Sequence, residues 1–143
     1  VKDVAMILLI IAGAGTFKEV LLASGVSKEI ASYLGTLPIP PLVLGWLMAA
    51  IIRVCIGSAT IAGLTAAGMI LPLVVAGGVN PNLMVLSIGA GSLMFSHVND
   101  TGFWMFKEYF NLSVKETIRS WSLMETIVSI TGLLGVLLLN QII

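Results

Sequence analysis

From residue 42 to residue 70 the chain is almost continuously apolar, yet Arg53 stands inside the run and Gly57-Ser58-Ala59-Thr60 follows one turn later. A run of about 29 residues extends roughly 43 Å at the helical rise, more than the ~30 Å of hydrocarbon that a straight crossing needs. A guanidinium inside a bilayer is also costly unless a partner or a wet cavity receives it. The run therefore either tilts strongly or consists of two half-helices meeting at Gly57-Ser58. One discontinuous transmembrane helix over 40–76 is the expectation.

Composition agrees with a membrane chain. Of 143 residues 58% are hydrophobic and 10% charged, and the mean hydropathy is +1.10, which excludes an ordinary water-soluble domain. The expected fold is an all-α polytopic membrane protein embedded in a lipid bilayer. Seven basic and seven acidic residues cancel without a Lys/Arg cluster, so no nucleic-acid footprint exists. Cys55 is the single cysteine; no Cys/His spacing fits a metal, and no cofactor is implied. No nucleophile elbow, zinc-protease helix or phosphate loop appears, which argues against an enzyme. The chain opens on Val1 and runs from Lys2-Asp3 straight into apolar sequence, so it reads as a fragment of a larger bundle.

Around the central run lie further elements. Residues 4–14 are too short for a crossing, and Gly13-Ala14-Gly15-Thr16 separates them from a short segment carrying Lys18 and Glu19. A re-entrant hairpin or broken helix over 2–36 is expected, with a single kinked span as the alternative. Within it, residues 27–34 form an amphipathic piece suited to the interface. Pro38, Pro40 and Pro41 stop that piece, and Gly77-Gly78-Val79-Asn80-Pro81-Asn82 makes the next turn. A span is expected over 82–97, its Gly89-Ala90-Gly91-Ser92 allowing close helix contact. Phe103, Trp104 and Phe106 read as an interfacial aromatic belt rather than a sugar-stacking surface. Ser113 and Glu116 have capping-box spacing, opening an interfacial segment and last transmembrane helix over 113–140.

Lys107, Lys115 and Arg119 lie in one loop, whereas the Gly77 to Asn82 turn has no basic residue. The first loop is therefore expected in the cytoplasm and the second outside, with the carboxy terminus also outside. Placing Lys18 and Lys28 inside as well favours one broken crossing over 40–76.

Three clusters could carry chemistry. The planar fork of Arg53 matches a carboxylate, so an organic anion is a natural ligand. Arg53 reads equally as a structural salt bridge, to Glu125 or to an acid in the absent part. Breaks at Gly57, Ser58 and Thr60, and at Gly13, Gly15 and Thr16, would aim half-helix ends at a shared point; packing through small residues is the plain alternative. His97, Asn99 and Asp100 follow a buried helix and would suit a proton relay, with Asp100 the better candidate and Glu125 the fallback; a helix-ending polar loop is the alternative.

Three runs resemble the carboxy-terminal part of the gluconate permease family: Gly13-Ala14-Gly15-Thr16-Phe17-Lys18, then Ile52-Arg53-Val54 with Gly57-Ser58-Ala59-Thr60-Ile61-Ala62-Gly63, and Ser96-His97-Val98-Asn99-Asp100-Thr101-Gly102-Phe103-Trp104. The resemblance covers essentially the whole chain. It implies a multi-pass protein of the bacterial inner membrane that imports gluconate or a related sugar acid by proton symport. It further implies a second inverted repeat, the first lying in the absent amino-terminal part. Family members also take idonate and, in one branch, D-serine; the motifs do not separate these cargoes. A channel-type or non-transporting structural subunit is the competing reading, and a homo-oligomer is left open.

Overall fold

The structure, a computed structural model, describes residues 38–75, 77 and 79–143, with residues 5, 8, 12, 16 and 23–25. Most of the expected 2–36 hairpin, including Gly13 and Gly15, lies outside the described residues, as do Lys18 and Lys28. Among the described residues every regular element is helical: α1 (Pro41–Ile56), α2 (Ala59–Val75), α3 (Pro81–Gly91), α4 (Thr101–Tyr109) and α5. Helix α5 is the continuous run Val114–Leu139 of 26 residues. Within it, Ile118–Ser122 takes π-helical hydrogen bonding between the α-helical Val114–Thr117 and Leu123–Leu139.

Local sequence accounts for each boundary. Pro41 occupies the first turn of α1, where its missing N–H costs nothing. Gly57 ends α1 in the left-handed region (φ 74°), its N–H closing onto the Arg53 carbonyl at 2.8 Å. Asn80 caps α3 by accepting from the Asn82 N–H, and Asp100 caps α4 by accepting from the Gly102 N–H. At α5, Ser113 and Glu116 form the reciprocal capping box that their spacing predicts.

Residues 40–76 prove to be two helices lying against each other. Ser87 Oγ on α3 donates to the Leu42 carbonyl at 2.5 Å, and farther along Asn99 Nδ2 donates to the Val54 carbonyl at 2.7 Å, so α1 and α3 run parallel. A Cβ on Gly63 of α2 would meet Ser92, whereas one on Gly57 would meet Asn99, so α2 runs back the other way. The pair is a helical hairpin with its tip at Gly57-Ser58, rather than two half-helices end to end. The physical reason is the left-handed Gly57, which reverses the chain and lets Ala62 and Ala66 bury fully beside Ile52 and Ile56. At 16 and 17 residues the two arms reach only about 24 and 26 Å, short of a full crossing.

Helix α5 runs antiparallel to α1 and α3. Trp46 Nε1 donates to Ser129 Oγ at 3.1 Å, while Arg53, deeper on α1, meets the earlier residue Glu125. Small residues set the spacing: a Cβ on Gly91 would fall 2.3 Å from the Trp46 carbonyl oxygen, and one on Gly132 2.8 Å from Ala90 Cβ. The Gly77 to Asn82 turn and the carboxy-terminal end of α5 thus share one end of the bundle, and the basic 107–119 segment, which spans the end of α4, the 110–113 connection and the start of α5, occupies the other. The outer surface is apolar, with Leu64, Val85, Leu86, Ile127, Leu134 and Leu138 exposed. On a bundle this small such a surface must meet lipid or further protein.

The aromatic segment departs from expectation. Phe103 is fully buried, Trp104 Nε1 donates to the Val98 carbonyl at 2.7 Å, and Phe106 stacks on Trp121 with ring centroids 4.9 Å apart. Phe106 thus joins α4 to α5, Trp104 ties α4 to the preceding loop and Phe103 faces inward, so the three do not form an outward belt.

Candidate functional site

Two interruptions of helical structure meet inside the bundle. One is the hairpin tip at 57–58, just after the end of α1; the other is 96–99, within the non-helical stretch between α3 and α4. Before it, Phe95 has φ 41°, a left-handed conformation unusual for a bulky residue. The carbonyls at the end of α1 have no intrahelical partner of their own. His97 Nε2 lies 3.0 Å from the Val54 carbonyl and donates to it, and Asn99 Nδ2 reaches the Val54 and Cys55 carbonyls at 2.7 and 3.2 Å. The junction is so close that a Cβ on Gly57 would lie 2.2 Å from the Asn99 carbonyl oxygen.

One turn back from the tip is Arg53, 3% exposed. Its Nη2 contacts Asp100 Oδ2 at 2.5 Å and Glu125 Oε2 at 3.4 Å. Asp100 is further held by the Ser96 hydroxyl, which donates to Oδ2, and by the Gly102 N–H, 2.9 Å from Oδ1. Ser96 in turn accepts from Trp121 Nε1 at 2.8 Å, and its carbonyl accepts from the Ser122 hydroxyl. The π-helical turn delivers those two neighbours: widening the helix by one residue rotates Trp121 and Ser122 together onto Ser96, ahead of Glu125.

Three buried polar atoms make no hydrogen bond to the described residues: Arg53 Nε, Arg53 Nη1 and Asn99 Oδ1. Buried donors and acceptors of this kind cost about 1–3 kcal/mol each when unsatisfied. Together they offer donors on two guanidinium nitrogens, on either side of the occupied Nη2, and one acceptor, a set that suits a carboxylate carrying hydroxyl groups. By contrast, the groove of about 250 Å³ lined by Trp46, Leu47, Ala50, Ile51, Val54, Cys55 and Met94 exposes no polar surface. A polyhydroxy anion would lose its hydration there without replacement.

The sequence-derived residues thus fall into groups. Arg53 and Asp100 come together, and His97, Asn99 and Gly57 form the neighbouring junction. Ser58 caps the start of α2, its Oγ 3.4 Å from the Ile61 N–H, and Thr60 is exposed on that helix. Thr16 Oγ1 donates to the Ala12 carbonyl at 2.9 Å, an internal helical bond. Sequence reasoning treated Glu125 only as a partner or fallback, although an acid inside an apolar 17-residue helix is itself a signal. Ser96 entered the sequence reading only as the first residue of the polar run, and Trp121 and Ser122 carried no sequence signal. Among the described residues no group of His, Cys, Asp and Glu could hold a metal ion.

Comparison with known proteins places this geometry in context. The family model described as GntP family permease matches residues 1–142. The chain is 56% identical over its whole length to a high-affinity gluconate transporter of Escherichia coli, covering 33% of that protein. It is 52% identical over 97% of its length to the Gnt-II system L-idonate transporter of the same organism, and 49% identical over its whole length to a gluconate permease of Bacillus subtilis, covering 32% of each. It therefore spans about a third of the relatives it matches. No solved structure matches. The names in the family are those of permeases and transporters rather than enzymes, and by a match along nearly its entire length the chain belongs to the GntP family of permeases, membrane proteins of which it represents the carboxy-terminal third.

Proposed function

We propose that the protein containing this chain is a secondary active transporter of the bacterial inner membrane that imports gluconate or a related sugar acid by proton symport. The observation that carries this reading is the meeting of two interrupted helices beside Arg53, whose buried Nε and Nη1 have no hydrogen-bond partner among the described residues. Discontinuous helices facing one another are the usual architecture of substrate sites in such carriers, because half-helix ends leave oriented backbone groups for a polar cargo. The substrate carboxylate would accept from Nη1 or Nε of Arg53, and a hydroxyl would donate to Asn99 Oδ1. Gly57 keeps the tip close, with Ser58 and Thr60 opening α2 toward the same point. The identity to gluconate and idonate transporters supports a sugar-acid cargo.

In this reading α1 and α2 form a re-entrant hairpin of the second inverted repeat, entering from the side of the Gly77 to Asn82 turn, and α5 crosses fully. The turn lies outside and the 107–119 segment in the cytoplasm, as the basic residues of that segment require. A non-transporting subunit is the second reading; the ion pairs of Arg53 with Asp100 and Glu125 favour it, since they could be structural alone. Counterflow with the full-length protein in proteoliposomes separates them. A carrier exchanges labelled for unlabelled gluconate, whereas a subunit without transport activity gives no exchange. Competition of uptake by hexonates, hexuronates and D-serine identifies the cargo.

A further inference from the structure

We propose that Glu125 is the group that takes up and releases the coupled proton, while Asp100 remains ionised as the permanent partner of Arg53. This rests on the proton-symport reading above and reverses the order of candidates that the sequence alone favours.

The two carboxylates differ in what holds their charge. Asp100 receives three donors: Arg53 Nη2, the Ser96 hydroxyl and the Gly102 N–H. Ser96 has one hydroxyl proton, and because its oxygen accepts from Trp121 Nε1 that proton is committed to Asp100. Asp100 also caps α4, where the partial positive end of the helix favours an anion. Protonating it would disrupt all of these contacts at once.

Glu125 has one described contact, a 3.4 Å approach to the same Arg53 Nη2 that Asp100 occupies at 2.5 Å. It stands on α5 roughly 17 Å from the start of that helix, in the first turn of its apolar part, Leu123–Leu139. One guanidinium against two carboxylates leaves a net charge of minus one there, and a proton on Glu125 removes it. Arg119, on the same helix before Glu125, is exposed, and Cys55 is the other titratable group on α1. Helices α2 and α3 contain no ionisable residue, His97 donates to the Val54 carbonyl, and on α4 Lys107 pairs with Glu108 at 2.7 Å.

The same arithmetic explains coupling. With Glu125 ionised, a substrate carboxylate arriving at Arg53 would raise the net charge from minus one to minus two. With Glu125 protonated, the arriving anion restores only minus one. Substrate and proton therefore favour each other's binding, and by reciprocity each loads best when the other is present. The proton binds the Glu125 carboxylate on the outer side and leaves it as a proton on the inner side, so no other reactant is needed.

The test uses the full-length transporter in proteoliposomes. Wild-type protein should bind gluconate up to about tenfold more weakly per pH unit above the titration of Glu125, the limit for one linked proton. Glu125→Gln should lose that dependence and fail to accumulate substrate on a proton gradient, with counterflow still measurable. Accumulation by Glu125→Gln with the wild-type pH dependence would overturn the assignment, and so would the same uncoupled behaviour in Asp100→Asn. If Glu125→Gln is not produced, Glu125→Asp keeps a carboxyl at altered reach and should remain coupled with a displaced pH profile; an undisplaced profile overturns the proposal. Wild-type uptake that ignores a proton gradient would instead refute the symport reading itself.

Discussion

The α1–α2 hairpin and α5 are both strongly apolar, yet they are put to opposite uses. Helix α5 runs unbroken for 26 residues, about 39 Å, and keeps most of its surface outside the bundle. The hairpin spends 33 helical residues on two arms that stop short of a crossing and bury their small faces against one another. Hydrophobicity decides that both belong in a membrane. What separates them is the backbone: α5 has no residue that must leave helical conformation, whereas Gly57 ends α1 at φ 74° and brings the tip onto Asn99. A chain that reverses within an apolar layer leaves carbonyls without partners, and here His97 and Asn99 supply the donors.

Breaking the tip should have the largest effect. Gly57→Ala places a Cβ 2.2 Å from the Asn99 carbonyl oxygen, at a φ that alanine disfavours. A loss of about 3 kcal/mol or more is expected from the combined overlap and strain. Thermal unfolding in detergent and gluconate uptake check this together. Gly68→Ala is the control, since a Cβ there meets nothing within 4 Å; uptake close to wild type is expected.

Next in size is the buried ion pair. Arg53→Ala removes the one cation facing Asp100 and Glu125 and should cost about 3–5 kcal/mol in stability, with transport abolished. Arg53→Lys keeps the charge but not the planar fork, and should weaken gluconate binding roughly ten- to hundred-fold. Near-normal affinity in Arg53→Lys would confine Arg53 to a structural role.

Topology sharpens the contrast without disturbing it. In a Cys55→Ser background, a cysteine at Asn80 should react with a membrane-impermeant reagent in intact cells, and one at Lys115 should not. The reverse pattern would invert the bundle. The smallest effect is expected at the start of α5: Ser113→Ala removes half of the capping box and should cost about 0.5–2 kcal/mol, leaving uptake largely intact.

Sequence and structure divided the remaining decisions unevenly. The apolar composition, the lone Arg53, the break at Gly57-Ser58 and the capping box at Ser113 were all legible, because each depends on residues near one another in the chain. The expected single broken crossing over 40–76 was not legible as a hairpin, since a glycine break is compatible with either path. The parallel approach of α3 to α1 and the close contacts of Gly63 and Gly91 chose between them. The interfacial belt likewise became a buried Phe103 and a stacked pair of Phe106 and Trp121. Asp100 looked like the better proton-relay candidate because it lies in the polar run from Ser96 to Gly102. Tertiary structure alone brought Arg53, Ser96 and the Gly102 N–H to it and left Glu125 with one distant contact. Local pattern settles which residues can be helical or buried, but the charge state of a buried acid depends on donors that arrive from other helices.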